Sequence, residues 1–113
     1  MVKLVIRIDL GPEDHIGPGK IELLERVAEL GSISAAGRSM GMSYRRAWDL
    51  IDQINRKFEK PVVAAHTGGK AGGGTKLTKF GEDLVRNYRA IAEKALRSSK
   101  ANMDAINRSL RKG

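Results

Sequence analysis

The stretch that decides the fold runs from Ser32 to Phe58 and reads SISAAGRSMGMSYRRAWDLIDQINRKF. It predicts two helices joined by a very short turn. Ser34 is the candidate cap of the first helix, because its hydroxyl can accept a hydrogen bond from an unpaired backbone N–H of the first turn. Gly41 ends that helix, since a residue without a Cβ adopts the left-handed conformation common at helix ends, and Ser43 caps the second helix.

The second helix has an apolar stripe on one side and charges on the other. The stripe recurs at helical spacing and consists of Ala47, Ile51, Ile54 and Phe58. The outward residues are Arg45, Asp49, Asp52 and Arg56. Arg45 with Asp49, and Asp52 with Arg56, stand four apart, so we expect two ion pairs on this face. Trp48, at the edge of the stripe, is predicted to pack into the core rather than to stack on a base.

The order of residues around the turn is typical of a DNA-binding helix-turn-helix. A small residue, Gly37, stands four positions before the turn glycine, and the apolar Met42 follows it before the serine cap and the polar-faced helix. Small residues there allow the two helices to approach closely. The pattern also fits a tight helical hairpin in a small all-α core, so that alternative stays open.

Length and composition restrict the class of protein. With 113 residues the chain predicts a single domain, and 21 Lys and Arg against 13 Asp and Glu give a net charge of +8. A pI near 10.1 suits a polyanionic partner, either nucleic acid or an acidic membrane surface. Cysteine is absent, which excludes disulfides and thiolate chemistry. No apolar run reaches transmembrane length, so we expect a soluble, cytoplasmic protein with no membrane partner.

The residues before the helix-turn-helix predict a strand, a loop and a helix. Apolar and charged residues alternate over residues 1–10, which predicts a half-buried strand that pairs either within the chain or with a second copy. The turn-rich residues 11–19 predict a connecting loop. Residues 18–30 have helical periodicity, with proline in the first turn and Gly31 after the end. This helix should complete a three-helix core over residues 18–58, with the helix-turn-helix at 34–58.

Residues 62–78 predict a β-hairpin. Two short strands flank a glycine-rich loop that contains Lys70, and Lys76 lies in the second strand. A hairpin directly after a helix-turn-helix defines a winged helix, and the glycines predict a flexible, cationic wing.

Residues 79–110 predict a long C-terminal helix capped by Thr78. Apolar residues alternate spacings of four and three at Leu84, Tyr88, Ile91 and Ala95, as in helices that pack on other helices. We interpret this seam as a dimerisation element, with packing inside one chain as the alternative. An interruption at residues 98–99 leaves fraying or a separate short helix as possibilities for the last residues.

The sequence offers no recognisable catalytic, metal or cofactor site. A nucleotide-binding P-loop needs Gly-Lys followed by Ser or Thr at a helix start, whereas Gly69-Lys70 is followed by Ala71. The histidines, His15 and His66, form no metal set without cysteine. We therefore expect no enzymatic activity and no cofactor.

Residues 21–95 resemble the N-terminal DNA-binding domain of the ModE family, which are molybdate-responsive transcription regulators with a winged helix akin to the LysR type. The resemblance rests on GSIS at 31–34, GMSYRRAWD at 41–49, TGGKAGGG at 67–74 and LTKFGE at 77–82. It implies a dimer that sets two recognition helices in successive major grooves, with residues 43–46 near DNA and the wing at the backbone. ModE proteins usually continue into a molybdate-binding domain, and this chain stops at Gly113, so we expect no molybdate site within it.

Together these observations predict a mainly α winged helix-turn-helix protein with a small β-hairpin and a long C-terminal dimerisation helix. It would act as a sequence-specific, dimeric transcription regulator that binds double-stranded DNA. Arg45 is the candidate base contact, since arginine bonds bidentately to guanine. The other candidate DNA-binding residues are Ser43, Tyr44, Arg46, Arg38, Thr67, Lys70 and Lys76. A nonspecific architectural DNA-binding protein and a winged helix protein-interaction module remain as alternatives.

Overall fold

The computed structural model of the chain describes residues 1–66 and 74–111. Its helices are α1 (Pro18–Leu30), α2 (Ile33–Ser39), α3 (Tyr44–Lys57), α4 (Lys79–Ser98) and α5 (Lys100–Arg108). Its strands are β1 (Ile8–Asp9), β2 (His15–Ile16), β3 (Val63–His66) and β4 (Gly74–Leu77). Each strand pair forms its own antiparallel two-stranded sheet. A helix-turn-helix followed by a hairpin confirms the predicted winged helix class.

Local caps determine where the helices of the helix-turn-helix begin and end. Gly31 and Gly41 both have φ of 74°, so a left-handed glycine ends α1 and turns the chain between α2 and α3. The Ser43 side chain accepts a hydrogen bond from the backbone N–H of Arg46 (3.1 Å) and caps α3, as predicted. The prediction that Ser34 caps α2 is wrong. α2 begins two residues earlier than predicted, at Ile33, and Ser32 accepts a hydrogen bond from the N–H of Ala35 (3.0 Å).

The main core lies between the three helices and the hairpin. It consists of fully or almost fully buried apolar side chains from α1, α2, α3 and the residue before β3: Leu23, Leu24, Val27, Ile33, Ala36, Ala47, Ile51, Ile54 and Val62. Gly37 permits the close crossing of α2 and α3, because a Cβ there would lie 2.8 Å from the Cβ of Ala47. The predicted apolar stripe of α3 therefore does face the core.

The hairpin is anchored to the helical core at its base. Thr75 donates its backbone N–H to the carbonyl of Gly31 (2.9 Å), which ties β4 to the end of α1. The side chain of Asn55 on α3 accepts from the N–H of Val62 (2.8 Å). Thr78 caps α4 by accepting from the N–H of Gly81 (2.9 Å), as predicted. The predicted glycine-rich loop falls on residues 67–73, which lie outside the described part of the chain.

The N-terminal segment corrects the predicted ten-residue strand. Side chains of residues 1–10 alternate between exposed and half-buried, as expected, but only Ile8–Asp9 form a strand. They pair with His15–Ile16, inside the segment predicted as a loop. The segment before β1 follows the C-terminal helices instead: Val2 N–H donates to Oδ1 of Asn107 (3.0 Å), and Tyr88 donates its hydroxyl to the carbonyl of Ile6 (2.8 Å).

The C-terminal region predicted as a helix over residues 79–110 consists of two helices, so its last residues form a separate short helix, one of the two possibilities that the sequence left open. The break falls at Ser99, whose hydroxyl donates to the carbonyl of Ala95 (2.6 Å). Tyr88 is 3% exposed and packs with Ile16 and Ile21 in a second core, against which Leu84 is also packed. Two residues of the proposed dimer seam, Leu84 and Tyr88, therefore pack on their own chain, and the role of the seam in dimerisation stays a prediction.

Candidate nucleic-acid interface

The buried face of α3 fixes which of its side chains point outward. Ala47, Ile51 and Ile54 are at most 1% exposed, so the opposite side of the helix faces solvent. Arg45 and Arg46, in the first turn, are both exposed. Their position at a capped helix start places two cations beside the free backbone N–H groups of that turn, and such helix starts attract phosphate groups.

Arg45 is free to contact a partner. The predicted ion pair between Arg45 and Asp49 is absent from the part of the chain that the structure describes, where neither Arg45 nor Arg46 pairs with a carboxylate. The second predicted pair is confirmed, since Arg56 lies 3.0 Å from Asp52. The uncompensated positive charge of α3 is thus concentrated at its start.

The other candidate DNA-binding residues fall on three elements or outside the described residues. Ser43 caps α3 and is exposed, as is Tyr44 next to it. Arg38 is exposed on α2 and donates to the hydroxyl of Ser34 (3.3 Å). Lys76 is exposed on β4, opposite Ala64 of β3. Thr67 and Lys70 lie outside the described residues.

The hairpin and α3 border the same cleft. Tyr44 and Trp48 of α3 form one wall, Gly74 and Thr75 of β4 form another, and residues 32–34 close it. The first turns of α3 and the first residues of β4 therefore lie side by side on one surface.

The prediction that Trp48 packs into the core is wrong. Its side chain is 40% exposed rather than buried in the core, and Tyr44 beside it is 55% exposed. The indole N–H of Trp48 donates to the Tyr44 hydroxyl at 2.5 Å. The reason is rotational: each helical residue turns by about 100°, so positions 44 and 48 share the flank of α3 and Ala47 and Ile51 take the core side. The spacing of four between two aromatic residues was the signal that sequence reasoning missed.

Two ion pairs away from the start of α3 join elements of the fold to each other. The Arg89 guanidinium donates to both carboxylate oxygens of Glu25 (2.6 and 2.9 Å) and ties α4 to α1, and this hydrogen bonding raises the pKa of Arg89. Lys57, at the end of α3, donates to Asp14 (2.9 Å) and thereby lowers the pKa of that carboxyl group. These acidic groups pair with cations away from the first turn of α3.

The described residues offer neither a metal cluster nor a membrane-spanning helix. No group of three His, Asp or Glu side chains within residues 1–66 and 74–111 could hold a metal ion. None of the described helices is long and apolar enough to cross a bilayer.

Comparison with known proteins supplies the family. Residues 19–82 match the model of the bacterial regulatory helix-turn-helix protein, lysR family. The chain is 47% identical over 77 residues to the molybdenum-pterin-binding protein MopB of Rhodobacter capsulatus, covering 68% of this chain and 28% of that protein. It is 43% identical over 90 residues to the transcriptional regulator ModE of Yersinia pestis, covering 80% of this chain and 34% of that protein.

A third relative is the DNA-binding transcriptional dual regulator ModE of Escherichia coli K12, at 36% identity over 91 residues, which are 80% of this chain and 35% of that protein. The chain spans about a third of the length of the relatives it matches. The resemblance to ModE proteins is confirmed by these identities. Because the family model covers more than half of its residues, the chain belongs to the lysR family of bacterial regulatory helix-turn-helix proteins.

Proposed function

We propose that this chain is the DNA-binding part of a transcription regulator and that it recognises a specific duplex sequence. The observation that carries the proposal is the start of α3, where a serine-capped first turn presents two exposed, unpaired arginines next to a β-hairpin. The names of the relatives support it, since two of those described are transcription regulators and one of them is DNA-binding. The net charge of +8 suits a phosphate backbone.

In this proposal α3 lies in the major groove and Arg45 contacts a guanine. Arg45 points away from the buried stripe of α3 and has no carboxylate partner within the described residues, so its guanidinium can bond to guanine O6 and N7. Arg46 follows Arg45 in the first turn of α3, and Arg38 and Lys76 are exposed cations on α2 and β4, so all three would contact phosphates. The same role is proposed for Thr67 and Lys70, and a groove-facing position for Ser43 and Tyr44.

We also propose that the chain binds DNA as a homodimer. Beyond Tyr88, one side of α4 carries Ile91, which is 46% exposed, and one turn later Ala95, which is half-buried. Pairing of this side with a second copy would bury it and relate two recognition helices by a twofold axis. Helix-turn-helix dimers bind half-sites about one turn of DNA apart, which such an axis would produce.

The Rhodobacter capsulatus relative is named for molybdenum-pterin binding. The matched residues are a minority of that protein's length. We therefore propose DNA binding for this chain, propose that residues 1–113 form one winged helix domain, and propose no molybdate site within it.

The proposal is tested by selecting bound sites from a random DNA pool and then measuring affinity at fixed salt for a selected site and a scrambled duplex. We expect the selected site to bind at least about 1,000-fold more tightly. Equal affinity for both duplexes would show a nonspecific architectural protein. Absence of any salt-dependent DNA binding would point instead to a protein-interaction module.

The dimer is tested separately by light scattering during gel filtration. Wild-type protein should elute with twice the mass of the chain, and Ile91→Asp should shift it toward the monomer. The control is Lys94→Asp, because Lys94 is an exposed residue of the same helix. An apolar residue of α4 such as Val85 would not serve, since it packs against the core. A monomeric wild type at micromolar concentration that still binds its site tightly would contradict the dimer.

A further inference from the structure

The Tyr44–Trp48 pair on the flank of α3 has chemistry that the arginines do not supply. Trp48 is the one tryptophan of the sequence, and the residue is 40% exposed on the surface that carries α3. The core does not need it, because smaller residues fill the buried stripe of α3. Its contact with Tyr44, at 2.5 Å, holds the two aromatic side chains together on one side of the helix.

The hydrogen bond between the two rings limits what Trp48 can offer to a ligand. An indole has one polar group, the N–H donor, and that donor is already bonded to the Tyr44 hydroxyl. The remaining surface of Trp48 is apolar ring. The Tyr44 hydroxyl accepts this bond and keeps its own proton free to donate, for example to a phosphate oxygen.

The position of the pair is next to the predicted base contact. Arg45 is one residue after Tyr44, about 100° further around α3, so the aromatic flank stands beside the arginine on the side of the hairpin. The same aromatic side chains line the cleft shared with Gly74 and Thr75. If Arg45 faces base edges in the major groove, Trp48 faces the neighbouring step toward the wing.

We propose that Trp48 contacts the 5-methyl group of a thymine in the major groove and makes the chain prefer thymine at one position in each half-site. This inference rests on the proposed DNA binding by α3. The thymine methyl is the apolar feature that base pairs present in the major groove, and it matches a ring whose single donor is already occupied. Tyr44 orients the indole and is a positioning residue for this contact.

The test replaces single thymines of a selected site with deoxyuridine, which removes only the methyl group. For wild-type protein we expect one thymine per half-site at which this change weakens binding about fourfold, the effect of exposing one methyl-sized group. Trp48→Ala should bind the thymine and deoxyuridine sites equally, and Trp48→Phe should keep part of the difference. Far-UV circular dichroism and a thermal melt show whether each variant is folded.

Several outcomes would overturn the proposal. One is a wild-type protein insensitive to every thymine-to-deoxyuridine change. Another is a Trp48→Ala variant that binds all duplexes more weakly but keeps the sensitivity, which would place Trp48 on the sugar-phosphate backbone. In either case wild-type preference for the selected site over a scrambled duplex would leave the proposed function standing, so the two failures can be told apart.

A second measurement needs no variant. Because the chain has a single tryptophan, acrylamide quenching of its fluorescence reports the exposure of Trp48 alone. Quenching should be efficient in the free protein and strongly reduced in the complex with the selected site. Equal quenching in both states would show that DNA does not cover Trp48 and would overturn the proposal.

Discussion

Replacing Gly81 with alanine is expected to destabilise the protein by about 1 to 3 kcal/mol. A Cβ on Gly81 would lie 2.1 Å from the carbonyl oxygen of Val62, more than 1 Å short of the roughly 3.3 Å at which C···O contacts normally begin. That carbonyl cannot rotate freely, because it accepts a hydrogen bond from the backbone N–H of Thr78 (3.0 Å). The start of α4 would have to move away from the base of the hairpin.

Two smaller effects act on this value in opposite directions. Alanine favours the helix over glycine by up to about 1 kcal/mol, which offsets part of the clash. Displacing the Val62 carbonyl would weaken its hydrogen bond at a cost of about 0.5 to 1.5 kcal/mol. The clash and the weakened bond together exceed the helix gain, so a net loss of stability remains.

Gly19→Ala is the matched control. Gly19 lies near the start of α1, as Gly81 lies near the start of α4, but a Cβ there meets nothing within 4 Å. It keeps the helix gain without the clash, so its stability should be unchanged or up to about 1 kcal/mol higher. Urea denaturation followed by far-UV circular dichroism gives the free energy of unfolding of both variants. Equal stabilities for Gly81→Ala and Gly19→Ala would refute the proposed close contact between α4 and the hairpin.

The other predictions concern the interface and its supports. Arg45→Ala should weaken binding to the selected site by about 1 to 3 kcal/mol and relax preference at one base pair, while Arg56→Ala, on the same helix face but paired with Asp52, should change affinity by less than about threefold in titrations at fixed salt. Tyr88→Phe should lower the free energy of unfolding by about 0.5 to 1.5 kcal/mol, because a half-buried hydroxyl loses its hydrogen bond to the N-terminal segment; a stability equal to wild type in urea would contradict that contact. Lys57 lowers the pKa of Asp14 in the folded state, so this carboxylate stabilises the fold above its ordinary pKa and the contribution is lost as pH falls through the lowered value; the wild-type protein should therefore lose more stability than Asp14→Asn between about pH 5 and pH 2.

Features set by local sequence were predictable. Left-handed glycines, serine and threonine caps, and the apolar period of α3 act within one or two helical turns, so Gly41, Ser43 and Thr78 have the roles that the sequence indicates. The prediction that Ser34 caps α2 was wrong because two serines stand two residues apart. α1 ends at Leu30 with Gly31 as its cap, and the next residue, Ser32, is the one that caps α2.

Features set by contacts between distant residues were not predictable. The N-terminal alternation predicted the burial correctly, but its inner side chains are covered by Ile16 of the short strand β2, by Ile21 of α1 and by Tyr88, which lies more than eighty residues later. The apolar residues of α4 have the same spacing whether Tyr88 packs on its own chain or on a second copy, so the spacing could not decide between the two. The burial of Trp48 was predicted wrongly because Trp48 borders the apolar stripe of α3, and its rotation away from Ala47 and Ile51 leaves it 40% exposed.

The candidate site divides in the same way. Exposure of Arg45 and Arg46 follows from the period of α3, whereas the absence of an ion pair between Arg45 and Asp49 within the described residues depends on side-chain conformation. The neighbourhood of Tyr44 and Thr75 depends on the fold of the hairpin against α3 and could not be predicted from spacing.

Methylation interference on a selected site tests most directly whether the start of α3 reads the major groove. Dimethyl sulphate methylates guanine N7, which lies in that groove. For wild-type protein we predict two clusters of interfering guanines about one helical turn apart, and for Arg45→Ala the loss of interference at one guanine in each cluster. An identical pattern for both proteins, or interference confined to the minor groove, would contradict the account.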